Sequence, residues 1–164
     1  MRKSFWMVAA LFCACAVLTG SGAGAQTSAP EPLSAFPQSL LAIRTTAGKV
    51  VNFQIWMADN PRREEQGMMF VRDMDEHAGM LFLFPGNPQP MMWMKNTYLA
   101  LDLLFINAQG RIEYIAAQAT PLSLSVIKSP KPALAVLELK GGACQLLGLK
   151  VGDSVVHASF HNIR

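Results

Sequence analysis

Leu41-Ala42-Ile43-Arg44-Thr45-Thr46-Ala47-Gly48-Lys49-Val50-Val51-Asn52-Phe53-Gln54-Ile55-Trp56-Met57 is the stretch that decides the fold class. Leu41 and Ile43 alternate with Ala42 and Arg44, and Val51, Phe53, Ile55 and Met57 alternate with Asn52, Gln54 and Trp56. A period of two sends one set of side chains to one face of an extended chain. Thr46-Ala47-Gly48-Lys49 supplies the turn, so the spacing predicts a hairpin with one buried face.

The same logic extends along the chain. Asn60-Pro61-Arg62-Arg63-Glu64-Glu65-Gln66-Gly67 has an N-cap Asn, Pro at the first helical position, early acidic residues and a closing Gly, which predicts a helix of about two turns. Gly79 to Phe84 is a continuous apolar run too short for a globular helix, hence a strand covered on both faces. Pro85, Pro88 and Pro90 mark a loop. Met91 to Thr97 and Leu99 to Asn107 read as extended, and the turn Asn107-Ala108-Gln109-Gly110 leads into Arg111 to Ala116. Leu122 to Val126, Ala133 to Leu139 and Ser154 to Phe160 read as further strands, with a short helix within Gly141 to Leu149. The prediction is mainly β: one sandwich or jelly-roll-like domain, or a partly open barrel, with two short helices, over residues 39–164.

Two segments precede that domain. Met1-Arg2-Lys3, the apolar run Phe5 to Leu18 and Ala23-Gly24-Ala25 have the layout of a secretory signal peptide over residues 1–25. The apolar run is too short for a membrane span, and Phe12-Cys13-Ala14 is a poor approach to a lipidated Cys15. Residues 26–38, rich in Pro, Ala and Ser, read as a flexible tether. The expected location is outside the cytoplasm, in the periplasm or secreted, with no membrane span once the leader is cut.

Half of the 164 residues are apolar, 15% are charged, and 14 Lys and Arg stand against 11 Asp and Glu. Such a chain is neither disordered nor a strongly basic nucleic-acid protein. Loss of the leader takes Arg2, Lys3, Cys13 and Cys15 with it, so the net charge falls to about +1 and Cys144 remains alone without a disulfide partner. A monomer without cofactor is expected.

Chemistry-bearing patterns are sparse. HExxH, CxxC pairs, GxSxG and phosphate-binding Gly loops are missing from the sequence, and His77, His157 and His161 are dispersed. Cys144, inside Ala143-Cys144-Gln145-Leu146-Leu147, reads as a small buried hydrophobe. The most unusual stretch is Pro90-Met91-Met92-Trp93-Met94-Lys95-Asn96-Thr97, followed by Leu101-Asp102. On a strand, Trp93, Lys95 and Thr97 would share one face and form an aromatic platform beside an ammonium. Alternatively Lys95 pairs with Asp102 or Glu138 and Asn96 holds a loop. Met91, Met92 and Met94, with His77, offer a third possibility, soft ligands for Cu(I).

Arg63-Glu64-Glu65-Gln66-Gly67-Met68-Met69-Phe70-Val71-Arg72, Gly79 to Phe84, Trp93 to Thr97, Leu101-Asp102, Leu137-Glu138-Leu139, Gly141-Gly142 and Gly152-Asp153 occur in an order that resembles the domain-of-unknown-function 192 family, over about residues 40 to 160. Two departures are conservative: Met68 precedes Met69-Phe70 where the family more often has Leu, and Ala100 replaces a frequent Pro. The resemblance implies a compact β-rich domain, often exported, and implies no activity. It also directs attention to polar residues that a core alone does not need. The expectation is a non-enzymatic domain binding a small polar or carbohydrate-like ligand, or an envelope component, through Arg72, Trp93, Lys95, Asn96, Asp102 and Glu138. The competing expectation is an envelope-polymer hydrolase or lyase with Lys95, Asp102 and Glu138 as catalytic groups.

Overall fold

The computed structural model describes residues 29–86 and 89–163. The leader predicted over residues 1–25, and the start of the tether, lie outside the described residues. The strands are β1 (Gln38–Arg44), β2 (Val50–Ala58), β3 (Ala78–Leu83), β4 (Met91–Met92), β5 (Leu101–Ile106), β6 (Ile112–Ala119), β7 (Ile127–Lys128), β8 (Ala135–Lys140) and β9 (Ser154–Val156). The two helices are α1 (Pro61–Gln66) and α2 (Ala143–Leu147), and single 3-10 turns occupy Leu33–Ala35 and Ala158–Phe160.

Seven strands form one curled sheet in the order β6-β5-β8-β3-β2-β1-β9, and β4 pairs with β7 in a separate ribbon. The opening hairpin is present as read, with Leu41 opposite Phe53 and Ile43 opposite Val51. Within the large sheet only β2 and β3 run parallel. A parallel neighbour requires the chain to cross back, and α1 lies in that crossing, with Asn60 Oδ1 accepting from the Arg63 amide at 3.0 Å as its N-cap.

The sheet curls until its two edges touch at one end. There the amide of Ile112 donates to Asp153 O, Gly152 N donates to Ile112 O, and Val155 N donates to Gly110 O. Beyond these bonds β6 and β9 separate, so the architecture is the partly open, mainly β barrel with two short helices.

Alternation along the strands divides the apolar side chains into two layers. Leu104, Ile106, Leu137 and Leu139 face the barrel interior with Ile43, Phe53 and Ile55, and α2 closes that interior with Ala143 and Cys144. Leu101, Leu103, Phe105, Val136, Met80 and Phe82 face outward, under a cover that includes Met68, Met74, Met92 and Met94. The central strands β3, β5 and β8 are therefore apolar on both faces, as their continuous runs predict. Gly79 permits their tight spacing, because a Cβ there would stand 2.7 Å from Glu138 O and 2.8 Å from Leu139 Cδ2.

Several readings need correction. Only Met91–Met92 of the run 91–97 is strand, because Asn96 adopts φ +54° and the chain turns. Of 122–126 none is strand, and Leu122 likewise turns at φ +62°. The final strand stops at Val156, since His157 Nδ1 accepts from the Ser159 amide and caps a 3-10 turn. The segment read as a flexible tether packs onto the domain in its described part. Arg63 contacts Glu31 at 3.0 Å and donates to Ala35 O, Gln66 and Glu31 exchange two hydrogen bonds, and Phe36 is buried beneath the Arg63 guanidinium.

Candidate functional site

Three loops meet over the outer layer: 67–73, 93–98 and 120–126. Their backbones are stitched together, with Phe70 N donating to Asn96 O, Leu122 N to Thr97 O and Met94 N to Ser123 O. Phe70, Asn96 and Leu122 all hold left-handed φ, of +66°, +54° and +62°. Such angles cost a bulky L residue about 1 to 2 kcal/mol. The surrounding hydrogen bonds enforce them, and Asn96 further donates from Nδ2 to Met69 Sδ at 3.8 Å.

The effect is to hold aromatic side chains outward beside cations. The Lys95 ammonium lies 4.9 Å from the Trp93 ring centre and the Arg72 guanidinium 4.6 Å from that of Tyr98. Phe70 packs edge-on against Tyr98 at 6.3 Å. Trp93, Tyr98 and Phe70 remain 40 to 44% exposed, whereas Phe53, Phe82 and Phe105 are buried in the core. Leu122, Leu124 and Val126 are also exposed along the third loop. Cations already positioned over rings suit planar or anionic groups, which pair with the charge while the ring covers an apolar face.

Of the six residues predicted to line one surface, Arg72, Trp93, Lys95 and Asn96 lie on the hydrogen-bonded loops 67–73 and 93–98 as two separate ring-and-cation pairs, and Asp102 and Glu138 are directed elsewhere. Asp102 alternates with the outward Leu101 and Leu103 and so points to the barrel interior, wholly buried. Its carboxylate accepts the amides of Gln118 at 2.8 Å, Gly142 at 3.1 Å and Cys144 at 2.9 Å. The amides at the start of α2 are thus satisfied by the protein's own carboxylate. Asp153 repeats the device, accepting from Thr46 N and Lys150 N.

Glu138 points the opposite way. It lies on the outer face of β8 opposite Met80 of β3 and Leu103 of β5, and is 4% exposed. Gly67, at φ +49°, passes over it, so that a Cβ there would meet Phe82 Cζ at 3.1 Å and Glu138 Oε2 at 4.0 Å. Oε2 has no hydrogen-bond partner among the described residues, and burial pushes the carboxyl up to about 8. Among the described residues Lys95 forms an ion pair with neither carboxylate, its ammonium lying instead against Trp93. The arrangement Lys95, Asp102 and Glu138, required of a hydrolase or lyase, is not assembled: the two carboxyls occupy opposite faces of the sheet.

A copper site built on methionine fails on geometry as well. Met92 and Met94 are buried in the outer layer, Met91 is exposed on the opposite side of β4, and His77 lies tilted against Phe53 at 5.9 Å. The soft-ligand set Met91, Met92, Met94 and His77 does not converge. Among the described residues no group of three His, Cys, Asp or Glu is placed to hold a metal. Cys144 is buried as expected, and burial together with the Asp102 charge raises its thiol further above the ordinary range.

Sequence reasoning missed Phe70, Tyr98 and Leu122. Tyr98 directly follows the stretch singled out above, so an exposed aromatic there was legible; the left-handed backbones of Phe70 and Leu122 carry no compositional signal, since Gly or Asn is the usual occupant.

Residues 42–157 match the family described as DUF192, Uncharacterized ACR. Among solved structures, the chain is similar to a protein from Sinorhizobium meliloti 1021 described as a candidate transcription regulator. The two are 39% identical over 76% of this chain and 96% of that one, with a TM-score of 0.73. It is also similar to a protein of unknown function from Novosphingobium aromaticivorans DSM 12444. Here the identity is 32% over 79% of this chain and 91% of that one, again with a TM-score of 0.73. No curated protein matches the chain. With the match spanning most of the barrel, from β1 through β9, this chain belongs to the DUF192 family.

Proposed function

We propose that this chain is an exported, non-enzymatic binding domain whose ligand is polar, carbohydrate-like and anionic, such as an acidic envelope polysaccharide. One observation carries the reading: two ring-and-cation pairs, Trp93 with Lys95 and Tyr98 with Arg72, stand exposed on loops whose strained backbones at Phe70, Asn96 and Leu122 are locked by hydrogen bonds between the loops. A sugar ring stacks on the exposed aromatic face while its carboxylate or phosphate meets the cation. Strain kept in a locked surface loop is a signature of a preformed site. The N-terminal pattern Met1-Arg2-Lys3 with Phe5 to Leu18 supports export.

Titration of the mature protein with oligogalacturonate, against neutral cello-oligosaccharide of equal length, tests this. The expected result is a Trp93 fluorescence change and amide shifts confined to 67–73 and 93–98 with the acidic sugar alone, weakened about tenfold by Lys95→Ala and by Trp93→Ala. Equal response to both sugars, or no response to either, defeats the proposal.

A further inference from the structure

We propose that the free edge of β6 and the groove beside it form a second binding site, which takes an extended peptide with small side chains and an acidic residue. β6 ends the large sheet, and only the backbone at its start, around Ile112, is engaged by β9. Gln118 N is turned toward Asp102. Among the described residues, the backbone from Glu113 to Ala117 bonds to no strand other than β5.

Exposed edges normally carry a guard: Lys, Pro, or an inward charge that prevents further pairing. Ile112-Glu113-Tyr114-Ile115-Ala116-Ala117-Gln118-Ala119 carries no Lys or Pro, and between the register shifts near its two ends it keeps a regular ladder to β5 over 114–116. Its single charge, Glu113, is neutralised by Lys131 at 2.9 Å. A groove of about 510 Å³ runs along the strand, with Ala116, Ala117 and Ala119 on one wall and Ser125, Val126 and Lys128 on the other. Alanines and a serine let another backbone approach closely, as strand addition requires, and main-chain hydrogen bonds then supply affinity without regard to sequence. Among the described residues Lys128 is the one charged side chain lining the groove, so the partner's complement is acidic.

The site adjoins the aromatic face, with which it shares the loop 120–126, and is tested separately from it. A random peptide library is selected on the mature protein, and backbone amide exchange is followed with the enriched peptides. Enrichment of extended, acidic peptides that slow exchange at 113–117 is the expected outcome. Ala117 is exposed, so Ala117→Arg fills the groove without touching the core and is expected to weaken binding about tenfold. Lys128→Glu is expected to reverse the charge preference of the enriched peptides, while Trp93→Ala leaves them unaffected. The proposal is overturned if no peptide is enriched, if protection falls elsewhere, or if Ala117→Arg binds as well as the parent. It is equally overturned if sedimentation shows a dimer whose 113–117 amides are already protected, because the edge then belongs to a second copy.

Discussion

Glu138→Gln isolates the energetic effect of a carboxyl that the fold buries without satisfying. In the native state burial pushes this group up to about 8, whereas its ordinary value is 4.5. Between these values the folded protein holds a proton that the unfolded chain has released, so stability falls as pH rises. Each pH unit inside that window costs about 1.4 kcal/mol. From pH 5 to pH 8 the loss is on the order of 3 kcal/mol, allowing for relaxation around the charged form, and it levels off above the native value. For a chain of this size that is a fall in Tm of roughly 10 °C. The amide that replaces the carboxyl does not titrate, so its unpaired polar atoms carry a cost independent of pH. Buried His157 is depressed by burial and contributes a slope of opposite sign, but it is common to both proteins and cancels in the difference. Urea unfolding of parent and Glu138→Gln, followed by tryptophan fluorescence at half-unit steps of pH, should give curves whose separation is constant below pH 5 and then changes by about 3 kcal/mol by pH 8, the parent losing stability relative to the variant. Parallel curves across that range would refute the reasoning, since Glu138 would then be ionised and paired in the native state.

Further expectations follow from the same contacts. Asp102→Asn leaves one oxygen for three backbone donors and turns an NH2 toward them, so it should lower the unfolding free energy by about 3 kcal/mol in urea titration. A loss below about 0.5 kcal/mol would mean that water replaces the carboxylate. Gly79→Ala drives a Cβ to 2.7 Å from Glu138 O between two central strands; loss of at least about 3 kcal/mol, or failure to fold by circular dichroism, is expected. Leu122→Gly should be more stable than Leu122→Ala by about 1 kcal/mol because φ +62° strains alanine and not glycine, and equal stabilities would show that the loop relaxes. Native Cys144 should resist a disulfide reagent at pH 8 and react at the rate of unfolding, whereas rapid labelling of the folded protein would contradict its burial.

Most of the strands were legible because their chemistry is local. Alternation at Val51, Phe53 and Ile55, the Asn60 cap with Pro61, and the turn at Asn107-Ala108-Gln109-Gly110 each specify a conformation within a few residues. The same locality explains the failures. Met91 to Thr97 has strand composition, yet Asn96 and Leu122 turn left-handed because each loop satisfies its backbone on the other. Pro30, Pro32 and Pro37 exclude regular structure, and so read as a tether, but docking depends on Arg63 and Gln66 some thirty residues downstream.

The candidate site divides along the same line. Arg72, Trp93, Lys95 and Asn96 could be chosen from sequence as polar and aromatic groups out of place in an apolar stretch. Asp102 and Glu138 were chosen for the same reason and proved to be different things, a cap for backbone amides and an unsatisfied buried acid. By itself the sequence determined a mainly β domain with two short helices, a buried Cys144 and the family's order of motifs, since periodicity and turn chemistry act over a few residues. Only the tertiary structure decided which polar groups share a face, because the pleat sends residues one apart to opposite sides of a sheet, and strand order sets which of them meet.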